Sequence, residues 1–166
     1  KELAEYDNQL LDKVKKQKLN YVLSKLKNNK SDTSANVKTL DSVKNILING
    51  NFLLAKKLHA TGVHLTSLQF DKIQTVKELG LYVIISCHTF EDIGKALENK
   101  ADAVTFSPIF ETPNKGEPKG IAILKEAVNT FKNIDIIALG GIINNKQVEE
   151  ISKTKAFGFA SIRYFI

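Results

Sequence analysis

The sequence has a single cysteine, no long apolar run and no recognisable targeting segment. Because a disulfide needs two thiols, Cys87 cannot form a bridge within the chain. No apolar run approaches the roughly 18 residues that a membrane-spanning helix requires, and nothing at the N-terminus is typical of a signal peptide. These absences make the cytoplasm the expected location and predict no membrane partner.

Motifs that would indicate several other chemistries are also missing. No GxGxxG follows an early strand, which argues against a dinucleotide-binding fold. No spacing of histidine, cysteine and carboxylate matches a zinc site, and no GxSxG indicates a hydrolase. The motifs alone therefore predict no metal site.

The charge is a modest positive excess, with a formal net charge of +6. The lysines are spread along the chain without a basic block interleaved with aromatic residues, so a solvated surface is favoured over nucleic-acid binding. A basic cleft for an anionic substrate remains open. With 43% hydrophobic and 25% charged residues, the composition is typical of a globular core, and we expect residues 1–166 to form one domain.

Short apolar runs and helical patterns alternate along the chain. The runs are 20–23, 45–48, 62–65, 83–86, 103–106, 136–139 and 157–162. Each is nearly continuous, as buried parallel strands are, and patterns with helical period lie near 3–14, 73–79 and 121–131. The alternation predicts the α/β class, and we favour a TIM (β/α)8 barrel over an open sheet.

A barrel of this type needs eight strands, whereas seven runs are visible. We expect the first strand to precede Lys1, which is not a methionine, and the last helix to follow Ile166. The chain is then a single barrel domain truncated at both ends. Either the fragment is incomplete or a partner closes the barrel, so a homo-oligomer is one of the alternatives.

Candidate site residues follow the apolar runs, because the active site of such a barrel lies at the carboxyl ends of its strands. They are Asn49, Ser86, His88, Thr112 to Lys115, Gly140, Gly141 and Arg163. The paired glycines let backbone N–H groups approach an anion, and an arginine can bind phosphate oxygens bidentately. A tight turn beside a surface arginine explains the same pattern equally well.

His88 stands at this rim and precedes Thr89 to Asp92, a predicted capping box. An imidazole there is suited to general acid–base catalysis near neutral pH. A histidine merely hydrogen-bonded near a helix start is an equal alternative. His64, inside an apolar run, is predicted to be packed in the barrel, and His59 to lie on a helix surface.

Four segments together resemble a known family. They are Gly62-Val63-His64-Leu65, Ser86-Cys87-His88-Thr89, Ser107-Pro108-Ile109-Phe110-Glu111-Thr112-Pro113-Asn114-Lys115 and Ala138-Leu139-Gly140-Gly141-Ile142. In order and spacing they are similar to the signature series of the thiamine phosphate synthase and TenI thiazole tautomerase family. The resemblance covers residues 20–166 and implies a (β/α)8 barrel. The family's synthases join a hydroxymethylpyrimidine diphosphate to a thiazole phosphate, releasing diphosphate.

The resemblance also implies roles for individual residues. Catalytic roles are implied for His88, Ser86 and Lys115. Of these, Ser86 resembles the family's serine near the leaving diphosphate. Substrate-binding roles fall to Lys25, Lys27, Asn49, Thr112, Asn114, Gly140, Gly141, Ile162 and Arg163. Lys25 stands where the family has arginine, Asn114 where threonine is usual and Arg163 where serine is usual.

The family's magnesium ion is held by two aspartates, whose positions here carry Gly50 and Gln69. Since a hard cation prefers anionic oxygen, Mg²⁺ is implied by the resemblance but poorly supported by these residues. Asp71 lies nearby but is predicted to cap the helix carrying Ile73 and Val76.

Three functions remain open, of which a synthase-like transferase is preferred. The second is a thiazole tautomerase that uses His88 as acid or base. The third is a non-catalytic paralogue that binds thiazole phosphate or thiamine phosphate.

Overall fold

The computed structural model describes residues 22–24 and 46–165 of the chain. The early helical pattern at 3–14, with Lys25 and Lys27, lies outside the described residues.

Within the described residues, seven strands form one sheet in which each strand is the neighbour of the next in sequence. They are β1 (Val22–Ser24), β2 (Ile46–Asn49), β3 (Gly62–Leu65), β4 (Tyr82–Cys87), β5 (Ala103–Phe106), β6 (Asp135–Leu139) and β7 (Gly158–Ala160). All six pairings are parallel. Sequential parallel strands with helices between them are the arrangement of a (β/α) barrel, so the predicted fold class is confirmed.

The helices occupy the connections between the strands. They are α1 (Phe52–Lys57), a 3₁₀ turn (Phe70–Lys72), α2 (Ile73–Glu78), α3 (Phe90–Glu98), α4 (Gly120–Thr130) and α5 (Asn145–Ser152). The predicted helical patterns at 73–79 and 121–131 are confirmed by α2, which buries Ile73 and Val76, and by α4, which buries Leu124 and Ala127. Among the described residues, no helix combines the length and apolar character needed to cross a membrane.

The two faces of the strands bury different side chains. Val63, Ile85 and Val104 belong to a large apolar layer that includes buried residues from the helices. The alternate positions, such as Ile84 and Ala103, form a second, smaller cluster on the inner face. Period-two alternation of strand side chains explains this division. The large layer attaches the helices and the small one fills the inside.

Two local predictions need revision. Asp71 does not cap α2: it lies inside the 3₁₀ turn, where it pairs with Lys72 at 2.7 Å, and the residue preceding α2 makes no side-chain cap bond. The turn runs directly into α2, so the helical backbone has already begun at Asp71. His59 is exposed, as predicted, but follows the end of α1 with a φ of 50° rather than lying on the helix.

Candidate active site at the carboxyl ends of the strands

The predicted site residues that lie within the described part of the chain follow the strands along one edge of the sheet. Asn49 is the last residue of β2, Ser86 lies near the end of β4, and His88 follows β4 directly. Thr112, Asn114 and Lys115 follow β5, Gly140 and Gly141 follow β6, and Ile162 and Arg163 follow β7. Since adjacent parallel strands end at the same edge, these residues share one rim of the sheet.

The Gly140–Gly141 turn packs directly against the segment that follows β5. Both glycines have positive φ, 98° and 71°. A Cβ at Gly141 would lie 2.5 Å from the Glu111 carbonyl oxygen, and one at Gly140 would lie 2.9 Å from Pro108 Cα. The Ile109 N–H donates to the Leu139 carbonyl at 2.9 Å. Glycine is therefore required here for backbone packing as well as for turn geometry.

Thr112 is close to this turn. Its Oγ1 would lie 3.2 Å from a Cβ at Gly140, and the hydroxyl donates to the Phe110 carbonyl at 3.0 Å. The chain then reverses through Asn114, which has a φ of 61°, and Lys115, whose N–H donates to the Thr112 carbonyl. Thr112 is half-buried whereas Asn114 and Lys115 are exposed. The structure thus brings Thr112 to the glycines and leaves Lys115 facing solvent.

Gln147 and Ser161 support the chain beyond the glycines, although sequence reasoning missed both. The Gln147 amide donates to the Gly141 carbonyl at 3.1 Å and accepts from the Ile143 N–H at 2.8 Å. The Ser161 hydroxyl donates to the Ile142 carbonyl at 2.7 Å. Asn144, whose side chain accepts from the Gln147 N–H, caps α5. An asparagine followed three residues later by glutamine was the available signal.

Ile162 and Arg163 lie in the turn after β7, not within the strand. Strand β7 ends at Ala160, so the predicted run at 157–162 is too long. Both residues are exposed, and the Tyr164 N–H donates to the Ser161 hydroxyl at 3.2 Å. Because Ser161 also binds the Ile142 carbonyl, this turn is tied to the segment that follows Gly141.

His88 is held at its Nδ1. That nitrogen lies 3.0 Å from the Ser107 carbonyl oxygen and 3.4 Å from the Ser107 hydroxyl. A carbonyl oxygen only accepts, so the shorter contact requires a proton on Nδ1. In the neutral ring Nε2 is then the basic nitrogen. The predicted capping box is confirmed, because Thr89 and Asp92 exchange side-chain to backbone bonds at the start of α3.

His64 is buried, as predicted, and forms hydrogen bonds with the polar side chains of Ser86 and Thr105. Its Nε2 lies 3.0 Å from Ser86 Oγ and 3.2 Å from Thr105 Oγ1. The histidine therefore fixes the Ser86 hydroxyl from inside the barrel. Cys87, next to Ser86 in sequence, points to the other face, where burial raises the pKa of its thiol to about 12. Such a thiol is not a nucleophile near neutral pH.

The two positions that correspond to the family's magnesium aspartates are in contact. Gln69 Nε2 donates to the Gly50 carbonyl at 3.0 Å, and its Oε1 accepts from the Thr66 N–H at 3.0 Å. Among the described residues, no group of three or more histidine, cysteine or acidic side chains is arranged to hold a metal ion. A neutral amide whose N–H is bonded to the Gly50 carbonyl does not fit magnesium, which prefers anionic oxygen.

Comparison with known proteins identifies the family to which the chain is similar. The family model for thiamine monophosphate synthase matches residues 26–165. A protein of Aquifex aeolicus, provisionally named thiamine-phosphate synthase 2, is 37% identical over 125 residues, covering 73% of this chain and 66% of its own. The thiamine-phosphate synthase of Latilactobacillus sakei is 32% identical over 122 residues, covering 70% and 54%.

A solved structure agrees at the level of the fold. Thiamine phosphate pyrophosphorylase from Pyrococcus furiosus superposes with a TM-score of 0.75 at 23% identity, covering 95% of this chain and 77% of that one. The chain spans between about half and two thirds of the length of the two sequence relatives, at 54% and 66%. By the extent of the family match and the identity to these relatives, the chain belongs to the thiamine monophosphate synthase family.

Proposed function

We propose that this chain is a thiamine-phosphate-synthase-like transferase, a single barrel domain acting in the cytoplasm. Its substrates are a phosphorylated thiazole and a hydroxymethylpyrimidine diphosphate. The thiazole nitrogen lone pair forms a bond to the pyrimidine methylene carbon. The carbon–oxygen bond to diphosphate breaks, and its electron pair leaves with the diphosphate. No external oxidant or reductant is needed.

The observation that supports this proposal most is the packing of the 107–112 segment against the Gly140–Gly141 turn. The turn lies at the rim with its Cβ-free side packed against the backbone of Pro108 and Glu111, close to the Thr112 hydroxyl. Such a turn suits a phosphate group. We assign the thiazole phosphate to this turn, with Arg163 and Asn114 at its exposed side.

The diphosphate is assigned to the opposite part of the rim. Ser86 is fixed there by His64, and Asn49 ends β2. Lys115, with Lys25 and Lys27 from outside the described residues, would supply positive charge to the leaving group. We derive no step through magnesium, because Gly50 and Gln69 do not fit it.

Two measurements test the proposal. Isothermal titration calorimetry with thiazole phosphate should show saturable binding, and both substrates together should yield thiamine phosphate and diphosphate, detected by chromatography. Binding without product would favour the non-catalytic paralogue. No binding at millimolar thiazole phosphate would argue against both the transferase and the non-catalytic binding paralogue.

One observation favours a second function, a thiazole tautomerase. The Ser107 carbonyl directs the His88 proton to Nδ1, leaving Nε2 as the basic nitrogen at the rim. A proton transfer within one substrate needs such a base. His88→Ala should abolish tautomerisation of a thiazole carboxylate phosphate, whereas the transferase reaction, which depends on stabilising diphosphate, should lose much less.

A further inference from the structure

The side chain of Gln69 makes hydrogen bonds to two different loops. Its Nε2 donates to the carbonyl of Gly50, which directly follows β2. Its Oε1 accepts from both the N–H and the hydroxyl of Thr66 after β3, at 3.0 and 3.2 Å. One side chain therefore connects the loops that follow two neighbouring strands.

The orientation of this amide is determined by its partners. The Thr66 N–H can only donate, so it must face the amide oxygen, and the Gly50 carbonyl can only accept, so it must face the amide nitrogen. Reversing the amide would break both bonds at once. The nitrogen, which carries the positive end of the amide dipole, is thus held against the Gly50 carbonyl.

The backbone of Gly50, which the Gln69 amide contacts, is also constrained. Gly50 has a φ of 70°, and a Cβ built on it would lie 3.6 Å from Gln69 Oε1. The Gly50 N–H donates to the His64 carbonyl at 2.8 Å. A side chain at position 50 would thus enter the space beside the Gln69 amide.

We propose that the Gln69 amide is a fixed clasp that joins the two loops and closes this part of the rim to divalent cations. The Gln69 amide and the Gly50 backbone occupy the two positions at which the resemblance implies magnesium aspartates, and they bond to each other instead. The inference does not depend on the proposed reaction, because it concerns the stability and metal response of the folded chain.

Thermal unfolding of four proteins tests the clasp: the wild type, Gln69→Glu, Gln69→Ala and Gln74→Glu. Gln69→Glu keeps the length of the side chain but places a carboxylate oxygen opposite the Gly50 carbonyl. Gln74 Nε2 also donates to a backbone carbonyl, that of Asn99 at 3.1 Å, but on an exposed helix. It is the matched control for the change in net charge.

Each protein is unfolded in chelator and in millimolar Mg²⁺ at constant ionic strength. The wild type should show no magnesium response. Gln69→Glu should melt about 3 to 6 °C lower in chelator and recover with Mg²⁺ or at lower pH, since either relieves the facing oxygens. Gln69→Ala should be destabilised without recovery by Mg²⁺, and Gln74→Glu should behave as the wild type.

Electron paramagnetic resonance with Mn²⁺ gives an independent readout. We expect the spectrum of free Mn²⁺ with the wild type and a bound signal with Gln69→Glu. A saturable magnesium stabilisation of the wild type that Gln69→Ala abolishes would overturn the inference. So would a Gln69→Glu variant that responds to neither pH nor metal.

Discussion

At the scale of single residues, Gly141 is constrained by both its φ and its neighbours. Its φ of 71° costs a residue with a Cβ about 1 to 2 kcal/mol. The new Cβ would also meet the Phe110 and Glu111 carbonyl oxygens at 2.6 and 2.5 Å. These are backbone atoms, which cannot rotate away as a flexible side chain would.

We therefore expect Gly141→Ala to lower the free energy of unfolding by about 2 to 5 kcal/mol, the sum of conformational strain and overpacking. Urea denaturation followed by circular dichroism measures this. Gly116→Ala is the matched control, because Gly116 has a φ of 72° with nothing within 4 Å of the added Cβ. It should cost only the strain, about 1 to 2 kcal/mol. Equal losses in the two variants would contradict the packing argument.

Arg163 tests the assignment of the phosphate. If it binds the phosphate of the thiazole, Arg163→Ala should weaken affinity by about 1.5 to 3 kcal/mol, the range for a charge-assisted hydrogen bond. Stability should change little, because the residue is exposed in a turn. Calorimetry against thiazole phosphate gives the affinity, with Lys125→Ala, an exposed cation on α4, as the control. An unchanged affinity would place Arg163 outside the site.

At the scale of elements, the start of α3 determines where His88 lies. The Asp92 carboxylate accepts from the N–H groups of both His88 and Thr89, at 2.8 and 3.0 Å. The Thr89 hydroxyl accepts from the Asp92 N–H at 3.0 Å. The cap that begins the helix therefore also fixes the backbone of the rim histidine.

Thr89→Ala should lower the free energy of unfolding by about 0.5 to 2 kcal/mol, the usual effect of losing an N-cap side chain. Thr89→Ser keeps the hydroxyl and should restore most of the loss. Chemical denaturation of the three proteins measures both effects. If serine fails to restore stability, the loss in Thr89→Ala comes from the packing of the Thr89 methyl group and not from its hydroxyl bond.

Local sequence signals predicted most of these elements but not the side-chain bonds between residues distant in sequence. The run at 62–65 and the capping box at Thr89 were found because each depends on neighbours in sequence. Asp71 was misassigned because the 3₁₀ turn before α2 gives no pattern distinct from the helix. The contact of Gln69 with Gly50 joins loops from two strands, so only the folded chain brings it together.

At the scale of the whole molecule, the opposite faces of the strands have separate tasks. Ser86 and His64 point inwards, with Ser86 Oγ 3.0 Å from His64 Nε2. Cys87 instead belongs to the apolar layer that packs against the helices. Alternation along one strand therefore directs adjacent residues to the candidate site and to the core. The rim is held in place by the same strands that stabilise the molecule.

Cys87 is the only cysteine in the sequence and can report on that common core. Burial raises the pKa of its thiol from 9.0 to about 12, which lowers the reactive thiolate fraction near neutral pH by roughly a thousandfold. The thiol is also fully buried. We expect alkylation by iodoacetamide to be very slow in the native protein and to rise with urea in step with the loss of circular dichroism. Fast labelling without denaturant would instead show that the end of β4 opens locally.

The same thiol predicts how stability depends on alkaline pH. In the unfolded chain it ionises near 9.0, whereas in the folded protein it keeps its proton until about 12. The unfolded state therefore binds fewer protons between these values, and stability falls as pH rises through them. Cys87→Ala removes this contribution, so its stability should decline less steeply above pH 9.0 than that of the wild type. Parallel declines, measured by urea denaturation at several pH values, would mean that the thiol ionises alike in both states, and that β4 does not shield it.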